Sequence, residues 1–511
     1  VALVHYSFRL AHVLKYKEAL HLKDKKQMQP TETQRAVQFI ERYVPEAMRE
    51  TKTPGWSVAL MKDEEIIYEG GFGWRDRERF LPATADTLYG IGSCTKAFVA
   101  TAILLLAERG ALKLEDPAGR YIPLKLRAGN ASPGNAPDSG SNNGASDGAP
   151  ITIHHLLTHS SGLPSLSTSE ILLQQGLGLD LGVPLASIED FYRWVNGAQG
   201  EISTRPDERF FYSNESYRML GHIIQTVSGM PFHQFVNKNI LEPLGMSRTT
   251  FARSEYERDA DKMRPYWAKP DGTIVPAEFP YPDVGLIPDF SFVVAAGGII
   301  SSVREMMKFL GANAPGSAVS LLKPETLAKM QTKHIDRPAS YYGSNGYGYG
   351  WTITPNFLGQ KMIAHGGSIE VSTAYAAFLP EKHMSVMLAS NSSGMPHATI
   401  AEGIFAALLG LDPFEAIPAL HIKNRMKLLA GTYSSYRNVV SVRIFAKGGL
   451  LYLEQKNPFL DSVVPLVPED DHLRNYRFYT LTEGVRQPIE FQSGPNGIDL
   501  SIERDRYHKV G

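Results

Sequence analysis

Residues 90 to 110 read Gly-Ile-Gly-Ser-Cys-Thr-Lys-Ala-Phe-Val-Ala-Thr-Ala-Ile-Leu-Leu-Leu-Ala-Glu-Arg-Gly, which sets a serine and a lysine three positions apart where an apolar helix begins. Phe98, Ile103, Leu104, Leu105 and Leu106 supply the apolar surface and Gly110 a natural stop, so the spacing predicts a helix of about four turns from Ser93. On such a helix Lys96 lies over the turn that carries Ser93. The helix dipole there favours a developing negative charge, and a lysine deprived of water becomes a base able to take the serine proton. A serine at a helix start is also an ordinary cap, and Ser320-Leu-Leu-Lys323 repeats the pattern. There Pro324 biases Lys323 away from helical geometry, so the second copy is set aside.

Upstream of this stretch, residues 31 to 50 carry Val37, Ile40, Val44 and Met48 at helical spacing behind a threonine cap, and residues 57 to 76 read as two strands around a charged turn. Downstream, residues 128 to 150 hold no aromatic and no aliphatic residue larger than alanine, which predicts a mobile insert loop. Mostly helical segments follow to about Ala295, and beyond it come Gly-rich turns, strands and a last helix at 397 to 410. Strands at both ends with helices between predict an α+β sheet packed by helices. A proline-bearing linker is expected at 413 to 425, and from 426 to 511 strand patterns separated by Gly turns predict a small antiparallel β-barrel domain. Residues 1 to 30 form an N-terminal extension expected to be helical, leaving 31 to 412 as the catalytic domain.

The bulk properties narrow the partners. With 52 basic and 53 acidic residues the net charge is -1, so no field draws the chain to nucleic acid or anionic membrane. No apolar run reaches the length of a membrane span, and Cys94 is the only cysteine, so no internal disulfide exists. A cytoplasmic location is the expectation. His155 and His159 share a helix face as zinc ligands do, but the glutamate of a His-Glu-x-x-His site is missing, so no metal is expected. Gly144-Ala-Ser-Asp-Gly148 fits an α/β-hydrolase nucleophile turn in letters only, because no strand precedes it. Composition is silent on oligomeric state.

Two further elements appear in order after Ser93: Tyr212-Ser213-Asn214 and His365-Gly366-Gly367. Around them stand LLTHSSGLP at 156 to 164, FFYSNESYRMLGHII at 210 to 224, LEPLGM at 241 to 246, AAGGIISS at 295 to 302, YGYGW at 347 to 351 and HGGS at 365 to 368. Together with GIGSCTKAF they resemble the serine β-lactamase, DD-peptidase and penicillin-binding-protein family, closest to the class C β-lactamase-related esterases and D-aminopeptidases. The resemblance covers about residues 35 to 410. It implies a β-lactamase/transpeptidase-like fold, no cofactor, Ser93 as the acylated nucleophile, Lys96 as its proton acceptor and Tyr212 as the second member of the base pair. It also implies that Asn214 bonds the lysine and substrate, that His365 and Gly367 line the substrate strand, and that the N–H groups of Ser93 and Ser368 form the oxyanion hole. Related esterases carry C-terminal lipocalin-like barrels such as the one expected here.

Two departures stand out. Pro206-Asp207 replaces the usual Pro-Gly before the tyrosine motif, and His-Gly-Gly replaces Lys-Thr-Gly, which removes the charge that family β-lactamases use near a substrate carboxylate. A titrating His365 would restore some of it at low pH. The resulting expectation is a serine hydrolase cleaving a small-molecule ester or amide, an esterase or D-amino-acid peptidase before a β-lactamase. An acyltransferase resolving the same acyl-enzyme with an alcohol or amine, and an inactive binding protein on the same fold, are the alternatives. The aromatic residues Tyr341, Tyr342, Tyr347, Tyr349 and Trp351 are candidates for an apolar pocket wall or for strand core.

Overall fold

The computed structural model describes residues 30–128, 148–176, 178–179, 182–269, 271–457, 460–495 and 497–510. The N-terminal extension, most of the predicted insert loop and most of the Gly144 to Gly148 match lie outside the described residues.

Helix α1 (Glu32–Thr51) starts at a capping box in which Thr31 and Gln34 satisfy each other's backbone N–H. Its buried face, Phe39, Ile40, Tyr43, Val44 and Ala47, follows the period of the sequence. Strands β1 (Gly55–Lys62) and β2 (Glu65–Asp76) form the predicted hairpin, with the short β3 (Leu81–Pro82) beside them. Next come α2 (Thr95–Glu108), α3 (Asn214–Ser228) and α4 (Val303–Ala312). Six strands then complete the sheet: β4 (Ile335–Ser340), β5 (Gly343–Tyr347), β6 (Thr352–Phe357), β7 (Gln360–Ser368), β8 (Thr373–Leu379) and β9 (Met384–Ser390). The order β4-β5-β6-β7-β8-β9-β1-β2-β3 is antiparallel at every pairing and brings the chain's early hairpin against β9, the last of this sheet's strands in sequence, with Trp56 opposite Ser390.

Both faces of this sheet are covered, which is why β1 and β9 bury almost every residue. On one face α1 and α5 (His397–Leu408) enclose a core that includes Trp56, Leu388, Ile404 and Phe405. On the other, α2 crosses beneath the helical region. Twelve of its 14 residues are buried, so it is a central helix with no solvent face, which explains an apolar composition all round. Phe98 stacks on Phe309 of α4 with centroids 3.7 Å apart.

The segment expected as a linker, 413 to 425, carries regular structure. Residues Pro413–Ala416 and α6 (Pro418–Leu429) are helical, each with proline at its first position, where the missing N–H costs nothing. Ile417 and Leu420 pack into the catalytic domain, Met426 and Leu429 into the barrel, so α6 and its cap contribute to both cores. Beyond it eight strands, β10 (Gly431–Ser434) to β17 (Asp505–Lys509), close into a barrel through the pairing of Tyr433 with Lys509. Alternate residues Val442 and Ile444, Leu451 and Leu453, Ile489 and Phe491 fill its interior.

Candidate active site

Ser93 sits in a single 3-10 turn, Gly92–Cys94, that feeds directly into α2. Gly92 takes φ +53°, and a Cβ there would lie 2.4 Å from the Ser368 nitrogen. A Cβ at Gly367 would lie 1.9 Å from the Ile91 carbonyl oxygen and 2.9 Å from the Ser93 nitrogen. Two glycines therefore let the nucleophile turn and the end of β7 meet backbone to backbone, which brings the Ser93 and Ser368 amides to one place. Beyond Ala364, opposite Thr352, β7 loses its β6 partner while His365–Ser368 stay paired to β8, leaving an open edge beside Ser93.

Lys96 is completely buried. Its Nζ lies 3.0 Å from Ser93 Oγ, 2.7 Å from Asn214 Oδ1 and 2.7 Å from the carbonyl oxygen of Ala296. Burial, and then the buried Arg218 guanidinium, lower its pKa well below 10.5. A neutral amine has two protons and one lone pair. The amide and peptide oxygens can only accept, so both protons go to them and the lone pair faces the Ser93 hydroxyl. In its neutral form Lys96 thus aims its lone pair at Ser93.

Asn214 opens α3, one residue after its cap Ser213, and the same helical turn carries Glu215 and Arg218, both fully buried. These charges meet through Thr168: its Oγ1 donates to Glu215 Oε1 at 2.6 Å and accepts from Arg218 Nη1 at 2.6 Å. Tyr212 immediately precedes the cap. Its ring lies 4.8 Å from Lys96 Nζ, its hydroxyl interacts with Ser93, and burial raises its pKa above 10, so the phenol keeps its proton.

Pro206-Asp207 carries a different letter where glycine is usual. Asp207 takes φ +64°, the conformation a glycine would supply, and Ser160 Oγ donates to its carboxylate at 2.6 Å. His365 is buried, and its Nδ1 donates to the Gly366 carbonyl at 2.6 Å while its Nε2 accepts from the Tyr347 hydroxyl at 2.9 Å. Burial, with Lys96 and Arg337 nearby, brings its pKa down to about 3, so it does not recover the missing charge by titrating near neutrality. Cys94, between the two working residues, donates its thiol to the His365 carbonyl oxygen at 3.2 Å, and burial pushes its pKa up to about 12.

The structure thus brings together Ser93, Lys96, Tyr212, Asn214, His365, Gly367 and Ser368. It adds two groups that sequence reasoning missed, the Ala296 carbonyl and Arg337, and singles out Tyr347 among the aromatic candidates. The Ala296 carbonyl belongs to AAGGIISS, whose letters carry no sign of a backbone acceptor. Tyr347 was one of five aromatic candidates; Tyr349 and Trp351 are core and Tyr341 is exposed. Arg337, on β4, bounds a cavity of about 370 Å³ with Tyr212, Tyr347, Thr352, His365 and Tyr375. It donates from Nη1 to Thr352 Oγ1 at 2.7 Å, its Nε is buried with no partner, and among the described residues no carboxylate pairs with it. A larger hollow of about 870 Å³ beside Met48 and Trp74 contains none of the site residues, so the smaller cavity is taken as the site because it holds Tyr212 and His365. His155 and His159 cap the two ends of the helix Ile153–Thr158, and among the described residues no cluster is suited to a metal.

Comparison with known proteins agrees with this fold. The Beta-lactamase family model matches residues 40–410, and a second model, the Pab87 octamerisation domain, matches 413–508. The chain belongs to the beta-lactamase family. A penicillin-binding protein homologue from Pyrococcus abyssi, solved as an octamer, is 36% identical, with a TM-score of 0.81 over 92% of this chain and 99% of that one. Protein flp of Staphylococcus aureus strain MW2 is 25% identical over 69% of this chain, which spans 63% of that protein's length. EstCE1, a hydrolase with promiscuous acyltransferase activity, shares the fold at 21% identity, with a TM-score of 0.59 over 74% of this chain and 99% of its own. In this beta-lactamase-family member the sheet and helices form the family domain and the closed barrel is the second matched unit. Among the described residues no helix is long and apolar enough to cross a membrane.

Proposed function

We propose that the chain is a serine hydrolase that cleaves a small-molecule ester or amide through an acyl-enzyme on Ser93. The observation that carries this reading is the Lys96 amine, whose two acceptors are carbonyl oxygens and whose remaining position faces Ser93 Oγ. Lys96 takes the hydroxyl proton as Ser93 Oγ bonds to the substrate carbonyl carbon. The carbonyl oxygen gathers charge against the N–H groups of Ser93 and Ser368. As the carbon–leaving-group bond breaks, Tyr212 passes a proton to the departing alkoxide or amine and is resupplied from Lys96. Water then attacks the ester carbon along the same path in reverse, and Ser93 recovers its proton.

Arg337 supports a finer reading. A half-buried guanidinium without an acidic partner, on the wall that also holds the proton-donating Tyr212, suits a leaving group that carries a carboxylate. The charge absent from His365 is then supplied from β4. The barrel's match to an octamerisation domain, and the octameric relative, support assembly of this chain through β10 to β17.

The test is a fluorophosphonate probe followed by a panel of p-nitrophenyl esters, D-amino-acid amides and nitrocefin. Labelling confined to Ser93 with turnover of esters or amides is expected. An unlabelled Ser93, or a Ser93→Ala variant with full activity, rules the reading out, and light scattering of the full chain checks the assembly.

A further inference from the structure

His159 ends the helix Ile153–Thr158 in the left-handed conformation, φ +59°, and is completely buried. Its carbonyl oxygen accepts from the Phe211 N–H at 2.8 Å, and its ring Nδ1 accepts from the Ser213 N–H at 3.1 Å. Those bonds hold the residue before Tyr212 and the residue after it. The imidazole also lies against the Tyr212 ring itself, with centroids 4.5 Å apart. One side chain and its own backbone therefore fix Tyr212 on both flanks and on one face.

The hydrogen bonds also decide the tautomer. A backbone N–H can only donate, so Nδ1 offers its lone pair and the ring proton sits on Nε2. Nε2 is buried with no hydrogen-bond partner, and the imidazole is flanked by the rings of Tyr347, Tyr217 and Phe210, with centroids 4.9, 5.0 and 5.6 Å from its own. Leaving a buried N–H unpaired is unfavourable, so what the imidazole contributes here is its acceptor and its flat face. Burial, then Lys96, His365 and Arg337, push its pKa well below 6.5, which keeps the acceptor in place.

We infer that His159 is a positioning residue that holds the Tyr212 hydroxyl where it protonates the leaving group. This rests on the hydrolase reading above, and in particular on the role given to Tyr212. A leaving group as weakly basic as p-nitrophenolate departs without help, whereas an alkoxide needs the proton, so the two respond differently to a displaced acid.

The experiment compares an alkyl ester and a p-nitrophenyl ester of one acid, with active sites counted by fluorophosphonate labelling of Ser93. In His159→Leu, kcat/KM on the alkyl ester is expected to fall about a hundredfold and on the nitrophenyl ester less than about fivefold, with KM nearly unchanged. His159→Asn puts Oδ1 where Nδ1 stood and tolerates the left-handed backbone, and is expected to recover the alkyl ester to within about fivefold. Loss by one common factor on both esters overturns the inference, because that is what a smaller competent fraction produces. Failure of the Asn variant to recover overturns it too. If His159→Leu does not fold, His159→Phe keeps a ring without the acceptor and is read by the same ratio. A wild-type Ser93 that resists the probe defeats the hydrolase reading and this inference together, an outcome distinct from the others.

Discussion

Ser93-Cys-Thr-Lys96 and Ser320-Leu-Leu-Lys323 have the same spacing and opposite surroundings. At the first, α2 continues through Lys96, so the lysine side chain folds back over the turn carrying Ser93 and is sealed from water. At the second, Pro324 begins a helix and leaves Lys323 as an extended cap, ψ 150°, exposed to solvent, with its N–H on Glu108. Ser320 Oγ donates instead to the Leu322 carbonyl oxygen at 2.9 Å. On the proposed reading, a serine and a lysine three residues apart serve as nucleophile and base only where a helical turn leads straight from one into the helix carrying the other and a core removes the water.

The largest expected effects come from exchanging those surroundings for nothing. Ser93→Ala and Lys96→Ala each lower kcat by about four orders of magnitude or more, and the double variant loses little beyond either, because the two act in one step. Ser320→Ala and Lys323→Ala leave kcat within about twofold, as surface substitutions do. Additive losses at the first pair, or a large loss at the second, break the comparison; steady-state rates on one activated ester measure both. Tyr212→Phe is expected to lower kcat about a hundredfold to ten-thousandfold with an unchanged circular dichroism spectrum, and near-normal turnover removes the phenol from the mechanism.

Burial of Lys96 also has a pH signature of defined sign. A lysine whose folded pKa lies below its unfolded value binds fewer protons in the folded state, so its share of stability rises with pH between those two values. Against Lys96→Met, the wild-type protein should gain stability as the pH is raised from neutrality toward about 10, the ordinary lysine range. Activity should reach its alkaline plateau well below that range. A urea series at several pH values checks the first, and a flat difference between the two proteins argues that Lys96 remains charged.

Smaller in effect, Arg337→Ala is expected to raise KM about tenfold to a hundredfold for a substrate whose leaving group bears a carboxylate. It should change KM little for the neutral counterpart, in keeping with the loss of one charged hydrogen-bonding partner. An equal change for both substrates removes Arg337 from recognition.

What was legible in the chain divides along the same line. Period and punctuation exposed α1, the first hairpin, α2 and the barrel strands, because burial on one face, or on all, imposes a pattern on nearby letters. Ser93, Lys96, Tyr212 and Asn214 could be named because short motifs hold them. The Ala296 carbonyl is backbone, so no letter encodes it. Arg337 stands 28 positions before His365, on a strand whose neighbour β5 must fold back before the two share a wall. His159 was visible as a letter, but its grip on Phe211 and Ser213 depends on a chain reversal between residues far apart in sequence. The linker was legible by its prolines but its helices were not, because those prolines stand at helix starts, where proline is tolerated.

Asp207 gives the finest test of spelling against geometry, and the smallest effect. Its φ of +64° costs a non-glycine residue about 1 kcal/mol, and the Ser160 hydrogen bond returns a similar amount. Asp207→Gly removes both terms and should change stability by less than about 1 kcal/mol. Asp207→Ala keeps the unfavourable backbone and loses the bond, so it should fall about 1 kcal/mol below the glycine variant. Urea midpoints of the three proteins at one pH decide the matter. If alanine and glycine are equivalent, the left-handed turn is not what the position requires, and the aspartate is there for His154 and His155, whose Nε2 atoms lie 3.7 and 3.4 Å from its carboxylate.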